Sequence, residues 1–168
     1  MNSRDKFELE GLDELDTQLK LYDMGVDTFS PYAGSGKVDM IIRSEDGNHV
    51  RYADIKVCTG KREKKNVIWK IEDSFFMENE SFIILTVRLP NEEEILEKHH
   101  FILKSDNFLR VAKKNKLKVT NDAWVIFVPV SDLEEIKKKS KSTLSTSLAK
   151  SLTKYFDNWD SLLEWRKK

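Results

Sequence analysis

Apolar residues recur at helical spacing over residues 4–24. Leu12, Leu15, Leu19 and Tyr22 form one stripe and Phe7, Leu21 and Met24 a second edge, which predicts an opening helix ended by Gly25. Phe7, Glu14 and Leu21 are spaced by seven and fall in nearly one column. Glu14 is therefore expected among inward-facing neighbours, and Asp13, Asp16 and Asp23 on the wet face. Glu8, between Leu12 and Leu15 in angle, competes with Glu14 for the inward place. Beyond Gly25 the period drops toward two. Residues 26–29 read as a short strand, and 37–43 and 50–58 as a hairpin with Asp46-Gly47 as its turn. The run Val67 to Ile71 fits strand or helix alike. Ser81 to Leu89, β-branched and almost continuously apolar, predicts a buried strand closed by Pro90. Phe101 to Leu103 reads as a short edge strand before a helix at 106–116 capped by Ser105 or Asp106. Trp124 to Val130 is the last strand, ending or at an edge at Pro129, and Ser131 with Glu134 reads as a capping box for the next helix. Residues 139–147 are low in complexity and are expected to be a mobile loop. After them Leu148, Leu152, Tyr155, Phe156 and Trp159 present one amphipathic face, and Leu162, Leu163 and Trp165 dock the C-terminus. Strands interleaved with helices around a central hairpin predict the α/β class, a mixed central β-sheet flanked by helices.

Composition narrows the class without naming a chemistry. The 168 residues suit a single domain spanning 1–168. The hydrophobic content of 39%, with nine Phe and four Trp, supports a packed core although 35% of residues are charged, which excludes wholesale disorder. No apolar run approaches the roughly 20 residues that span a bilayer, and residues 1–6 are polar and charged, so a soluble, cytoplasmic protein with no membrane partner is expected. Cys58, the single cysteine, is expected as a small reduced core residue, and His99-His100 has no zinc spacing around it. Net charge is zero but unevenly spread. Residues 1–30 hold eight acids against three bases, and residues 137–168 nine bases against three acids. Polyanion binding follows local basic surface rather than total charge. Lys61, Arg62, Lys64 and Lys65, directly after the 50–58 strand, are the candidate phosphate contacts, while the lysines at 113, 114, 116 and 137–139 read equally well as solvated helix faces.

The candidate chemistry lies on the hairpin. In a period-two strand Asp54 and Lys56 share one face and Ile55 and Val57 the other. Pairing through the Asp46-Gly47 turn brings Asp39 toward them. Two carboxylates and an ammonium on one small patch are costly unless they hold a hard cation and a water, or neutralise one another. The plainer reading is an ion pair on a solvated strand, with Glu14 an ordinary surface glutamate. Gly34-Ser35-Gly36-Lys37 lacks the spacing of a nucleotide-binding loop and precedes a strand, so no nucleotide cofactor is expected. Trp159 and Trp165, at helical spacing, read as core rather than base-stacking platforms.

Helix with Glu14, Gly25, short strand, the turn Ala33-Gly34-Ser35-Gly36-Lys37, then Val38-Asp39 and Asp54-Ile55-Lys56: in this order the chain resembles the PD-(D/E)xK nuclease superfamily, whose fold is restriction-endonuclease-like. It looks most like archaeal Holliday-junction resolvases and small restriction-type nucleases. The resemblance covers residues 7–60 well and the remainder only in element order. Val38 replaces the superfamily's proline before the first aspartate, and Asp54 is within its Asp-or-Glu variation. The resemblance implies that Asp39, Asp54 and the backbone carbonyl of Ile55 hold Mg²⁺, with Mn²⁺ as a substitute, and that Glu14 adds a ligand directly or through water. It also implies that Lys56 lies against the attacking water and that Lys37 touches phosphate. The implied activity is Mg²⁺-dependent endonucleolytic hydrolysis of DNA by a homodimer, with two sites for two strands. Two alternatives stand beside it: a catalytically inactive nuclease-fold module that binds DNA or protein, and an immunity or regulatory protein with no nucleic-acid role. Metal binding, cleavage and DNA affinity at low salt separate them.

Overall fold

The computed structural model describes residues 3–31, 38–46, 49–76, 80–140 and 143–167. In chain order its elements are α1 (Ser3–Asp23), β1 (Thr28–Phe29), β2 (Met40–Asp46), β3 (His49–Thr59), β4 (Lys61–Glu63), β5 (Asn66–Glu72), β6 (Ser81–Pro90), β7 (Leu96–Lys104), α2 (Ser105–Lys114), β8 (Val119–Thr120), β9 (Ala123–Pro129), α3 (Val130–Lys137), α4 (Ser147–Leu152) and α5 (Asp160–Arg166). The main sheet is mixed and five-stranded, in the order β1-β2-β3-β6-β7. Strand β6 pairs parallel with β3 and antiparallel with β7. Its residues alternate between two cores, Ile83, Leu85, Val87 and Leu89 in one and Phe82 and Ile84 in the other. Both faces are thus covered, which is why its sequence is an unbroken apolar run. The hairpin of β2 and β3 pairs Met40 with Ile55 through to Asp46 with His49. Its tip, residues 47–48, lies outside the described residues. The architecture is the mixed α/β sheet flanked by helices that the pattern predicts.

A parallel pair requires a crossover, and here β4, β5 and a 3-10 turn (Asp73–Phe76) make it. Val67 to Ile71 is strand, because β9 pairs with it from Asn66–Pro129 to Glu72–Ala123. The result is a second, antiparallel sheet in the order β4-β5-β9-β8. Gly60 turns the chain between the sheets. Its N–H and the Trp69 indole Nε1–H both donate to the Thr86 carbonyl, at 2.8 and 2.7 Å. A Cβ at Gly60 would stand 2.6 Å from that oxygen, so only glycine permits the close approach.

Several local expectations are corrected. Strand β7 runs nine residues rather than three, along the edge of the main sheet. Helix α2 starts at Ser105 without a side-chain cap, since the Ser105 hydroxyl donates instead to the Ser81 carbonyl at 3.0 Å. The capping box at Ser131 does not form: α3 begins one residue earlier and Pro129 precedes it. The described part of the 139–147 loop is tied down. The buried Asp132 carboxylate accepts from the N–H and hydroxyl of both Ser145 and Thr146, at 2.7–3.0 Å, and Leu144 is buried. The serines and threonines that read as low complexity supply those hydroxyls. The C-terminal apolar face packs as expected, with Leu148, Leu152, Tyr155, Trp159, Leu162 and Trp165 buried. Asp157, in the left-handed region at φ 46°, accepts from the His100 N–H at 2.8 Å and pairs with His99 Nδ1 at 2.7 Å. Among the described residues no helix is long and apolar enough to cross a membrane.

Helix α1 shows the largest difference from the sequence pattern. Its end is as expected: Gly25, at φ 72°, donates to the Tyr22 carbonyl and Val26 to that of Leu21, and Leu21 and Val26 share one core. Its inward face, however, is polar. Asp13, Thr17 and Leu21 are wholly buried, whereas Leu12, Leu15, Leu19 and Tyr22 face outward. Asp13, expected on the wet face, accepts from Thr59 Oγ1 (2.8 Å), Thr86 Oγ1 (2.9 Å) and Arg88 Nη2 (2.5 Å) and pairs with Lys98 Nζ (2.8 Å). These donors come from β3, β6 and β7, and together they replace the water a carboxylate gives up on burial. Burial opposes its ionisation, yet the bonds from Arg88, Lys98 and Thr59 hold the carboxyl below the ordinary aspartate value.

Candidate active site

Asp39 extends the hairpin by one step, its N–H donating to the Ile55 carbonyl at 2.9 Å. That level of the ladder is also where Lys56 stands. The Asp39 carboxylate accepts from the Val57 N–H at 2.7 Å through Oδ2 and pairs with Lys56 Nζ at 2.8 Å through Oδ1. Its side chain is 8% exposed and that of Lys56 20%, so the pair is mostly out of water. Helix α1 lies beside it. Glu10 and Glu14, one turn apart, line a cleft of about 620 Å³ together with Lys56, and Lys61, Lys70 and Glu72 of the second sheet form its other wall.

The electrostatics of this cleft are lopsided. Burial pushes the Asp39 carboxyl above its ordinary value, and the hydrogen bonds from Lys56 and Val57 offset that only in part, while the charge of Glu10 adds to it. Glu14 is raised by burial first and by the charge of Asp39 second, with Lys56 opposing. Burial lowers the Lys56 ammonium, but its bond to Asp39 outweighs that and leaves it above the ordinary lysine value. An ion pair by itself would draw a carboxylate down. Both carboxyls move up chiefly because burial disfavours their charged forms, with the charges of neighbouring carboxylates adding to it. Next to them, burial pushes the Cys58 thiol up to about 12, so it stays protonated and is no nucleophile.

The sequence-predicted residues distribute as follows. Asp39, Lys56 and Glu14 are drawn together. Asp54 lies two positions before Lys56 on β3, half-buried, in register with Ile41, and its N–H donates to the Glu80 carbonyl at 3.0 Å. The Ile55 side chain is fully buried, and one lone pair of its carbonyl is engaged by Asp39. Lys61 lines the cleft and pairs with Glu63 at 3.3 Å; Arg62, Lys64 and Lys65 are exposed around the β4–β5 turn, where Lys64 takes φ 54°. Lys37, and the side chain of Glu8, lie outside the described residues. Glu10 was missed, although its four-residue spacing from Glu14 puts both on one helix face. Lys70 and Glu72 were missed because their segment could not be assigned to strand or helix.

No protein-family model matches the chain, and no curated protein matches it significantly. Its structure is similar to the solved structure of a bacterial homing endonuclease, I-Ssp6803I, with a TM-score of 0.58 and 14% sequence identity over 93% of this chain and 90% of that one. The likeness spans nearly the whole of both chains and is one of fold: this chain has an endonuclease-like fold, with the Asp39–Lys56 pair on its central hairpin.

Proposed function

We propose that the protein is a metal-dependent endonuclease that hydrolyses DNA phosphodiester bonds, with Asp39, Lys56, Glu14 and Asp54 as its active residues. The observation that carries this reading is the buried Asp39–Lys56 pair in an acid-rich cleft on an endonuclease-like fold. Among the described residues no three His, Cys, Asp or Glu side chains stand close enough to hold a metal ion unaided. A hard cation would therefore keep several of its waters there, with Asp39, Asp54 and the Ile55 carbonyl as direct oxygen donors and Glu14 reaching it through water. When bound, Mg²⁺ or Mn²⁺ would supply Lewis-acid polarisation of the phosphate and a water more easily deprotonated. Such an ion would relieve the mutual repulsion of Asp39, Glu14 and Glu10.

The protein's own groups have separable roles. Asp39 holds the Lys56 ammonium by its carboxylate, so that Nζ is fixed at the cleft wall without reorganisation at the moment of reaction. From there Lys56 orients the attacking water and offsets charge on the phosphoryl oxygens. Lys61, Arg62, Lys64 and Lys65 on the second sheet's hairpin, with Lys37, contact the DNA backbone, a sequence-independent and salt-sensitive interaction. The cleft mixes Lys56, Lys61 and Lys70 with Glu10, Glu14, Glu63 and Glu72, so DNA should enter it more readily when a divalent cation is present.

The test is incubation with supercoiled, branched and single-stranded DNA in Mg²⁺ and in Mn²⁺. Nicking or linearisation of at least one substrate, abolished by chelation, is expected. Protein that takes up Mg²⁺ calorimetrically yet cuts no member of the panel would instead be a binding module on the nuclease fold.

A further inference from the structure

Strand β9 has a sequence made for burial on both faces, and the fold covers one of them. From Ala123 to Pro129 its side chains are apolar without a break, the pattern of a strand with a layer on each side. On the inner face Ile126 and Val128 are buried together with Val67, Trp69 and Ile71 of β5. The outer face meets water: Val125 and Ile68 are partly exposed there and Phe127 is 52% exposed. Register sets what surrounds that ring. Phe127 pairs with Ile68 and Ile68 with Lys61, so the three stand in one row across β9, β5 and β4, about 5 Å from strand to strand. Lys70, opposite Val125, is diagonal to Phe127. Lys61, Ile68 and Lys70 also line the cleft that holds Lys56, so this strip continues the second-sheet wall of the cleft. A lone exposed phenylalanine needs no explanation, but one set in an apolar strip beside lysines and a cleft does.

We propose that this face holds an unpaired nucleotide, its base stacked on Phe127 and its backbone along Lys61 and Lys70, so that the substrate is DNA with a single-stranded stretch at the cleft. The inference deepens the nuclease reading and rests on it for the cut. Ile68, Val125 and Phe127 offer no hydrogen-bonding side chain, so the strip matches the face of a base and not the donors and acceptors that a base edge presents in a groove. Base faces are free only where bases have left the duplex. An aromatic ring beside cationic side chains is the sequence-tolerant way of holding such a strand. An anionic membrane fits less well. Glu63 and Glu72, two residues along from Lys61 and Lys70, share this face, and a flat surface cannot avoid them, whereas a strand can lay its phosphates over the lysines. Lys61 pairs with Glu63 at 3.3 Å, but both side chains are more than half exposed, and a pair of that kind yields readily to a phosphate.

Fluorescence anisotropy of labelled oligonucleotides with the full chain in EDTA tests the binding apart from any cleavage. A short oligothymidylate is expected to bind about tenfold more tightly than an abasic strand of the same length and charge, and more tightly than the corresponding duplex. Phe127→Ala should weaken the oligothymidylate about tenfold, within the range that a lost stacking ring costs, and leave the abasic strand unchanged. Phe127→Trp should restore the affinity. Both variants are expected to melt as the wild type does, since the side chain is half-exposed. Wild-type protein that binds no single strand, or binds the abasic strand or the duplex as tightly as the oligothymidylate, overturns the proposal without any variant. A folded Phe127→Ala protein that loses no affinity overturns it as well, and so does wild-type protein that binds anionic vesicles in place of the single strand. A chain that shows the expected preferences yet cuts nothing in Mg²⁺ or Mn²⁺ refutes the nuclease reading and leaves the stacking site standing.

Discussion

Lys56→Ala is expected to lower DNA cleavage by about two to four orders of magnitude while Mg²⁺ uptake persists, the range that positioned proton-transfer and electrostatic groups supply. The expectation rests on where the ammonium sits. Its side chain is largely buried and its Nζ is fixed 2.8 Å from Asp39 Oδ1, so neither water nor another lysine replaces it without rearrangement. Removing it also leaves the Asp39 carboxylate, already raised by burial, without its principal cation, and the carboxyl will hold its proton to higher pH. The cleavage that remains in Lys56→Ala should therefore recover in part as pH rises. Asp54→Ala and Asp39→Ala should instead lose metal uptake and cleavage together, because one direct carboxylate, with Glu14 only through water, holds Mg²⁺ poorly. Calorimetric Mg²⁺ titration beside a plasmid-nicking assay separates the two behaviours. A Lys56→Ala protein that nicks at the wild-type rate removes the lysine from the chemistry.

The second large effect concerns stability. Asp13→Ala should destabilise the fold by about 3–5 kcal/mol, the cost of removing one partner from a buried ion pair. At this chain length that lowers the melting temperature by roughly 10 °C. Arg88, only 25% exposed, would keep its charge without the carboxylate that answers it, Lys98, 18% exposed, would be left with Asp16 alone, and the hydroxyls of Thr59 and Thr86 would lose an acceptor. The pH dependence has a definite sign. The folded Asp13 carboxyl is held below its ordinary value, so its contribution is complete above the unfolded value of about 4 and is lost as pH falls through the lower, folded one. Melting curves at neutral pH and at about pH 3 should show the gap between wild type and Asp13→Ala narrowing in acid. Equal melting temperatures at neutral pH would mean that the network contributes nothing net.

The hairpin was legible because its information is local. Alternation assigns Asp54 and Lys56 to one face, and the hairpin returns the chain to Asp39, so the Asp39–Lys56 contact follows from neighbouring residues alone. The existence of α1 and its end at Gly25 were legible for the same reason. Its rotation was not. The leucine stripe outvotes Asp13 in any count of hydrophobic periodicity, and the four groups that turn Asp13 inward lie far away in the chain, at Thr59, Thr86, Arg88 and Lys98. Glu10 at the cleft went unread with it. The strand at Val67 to Ile71 is decided by its partner β9, some sixty residues later in the chain, which no short window contains. Ser131 and Ser105 carry capping chemistry in their sequence neighbourhoods, yet the first lies inside its helix and the second serves a neighbouring strand.

A helix seated on a sheet by a carboxylate, two cations and two hydroxyls responds to solvent unlike one seated by leucines. Over its middle turns α1 has little apolar surface left to expose, because Leu12, Leu15 and Leu19 are already exposed. Denaturant sensitivity scales with newly exposed surface, so in native-state hydrogen exchange the opening of these turns will depend only weakly on urea, and strongly on ionic strength and acid. The wall of the cleft that carries Glu10 and Glu14 is therefore governed by ions rather than by the hydrophobic effect that holds the two cores.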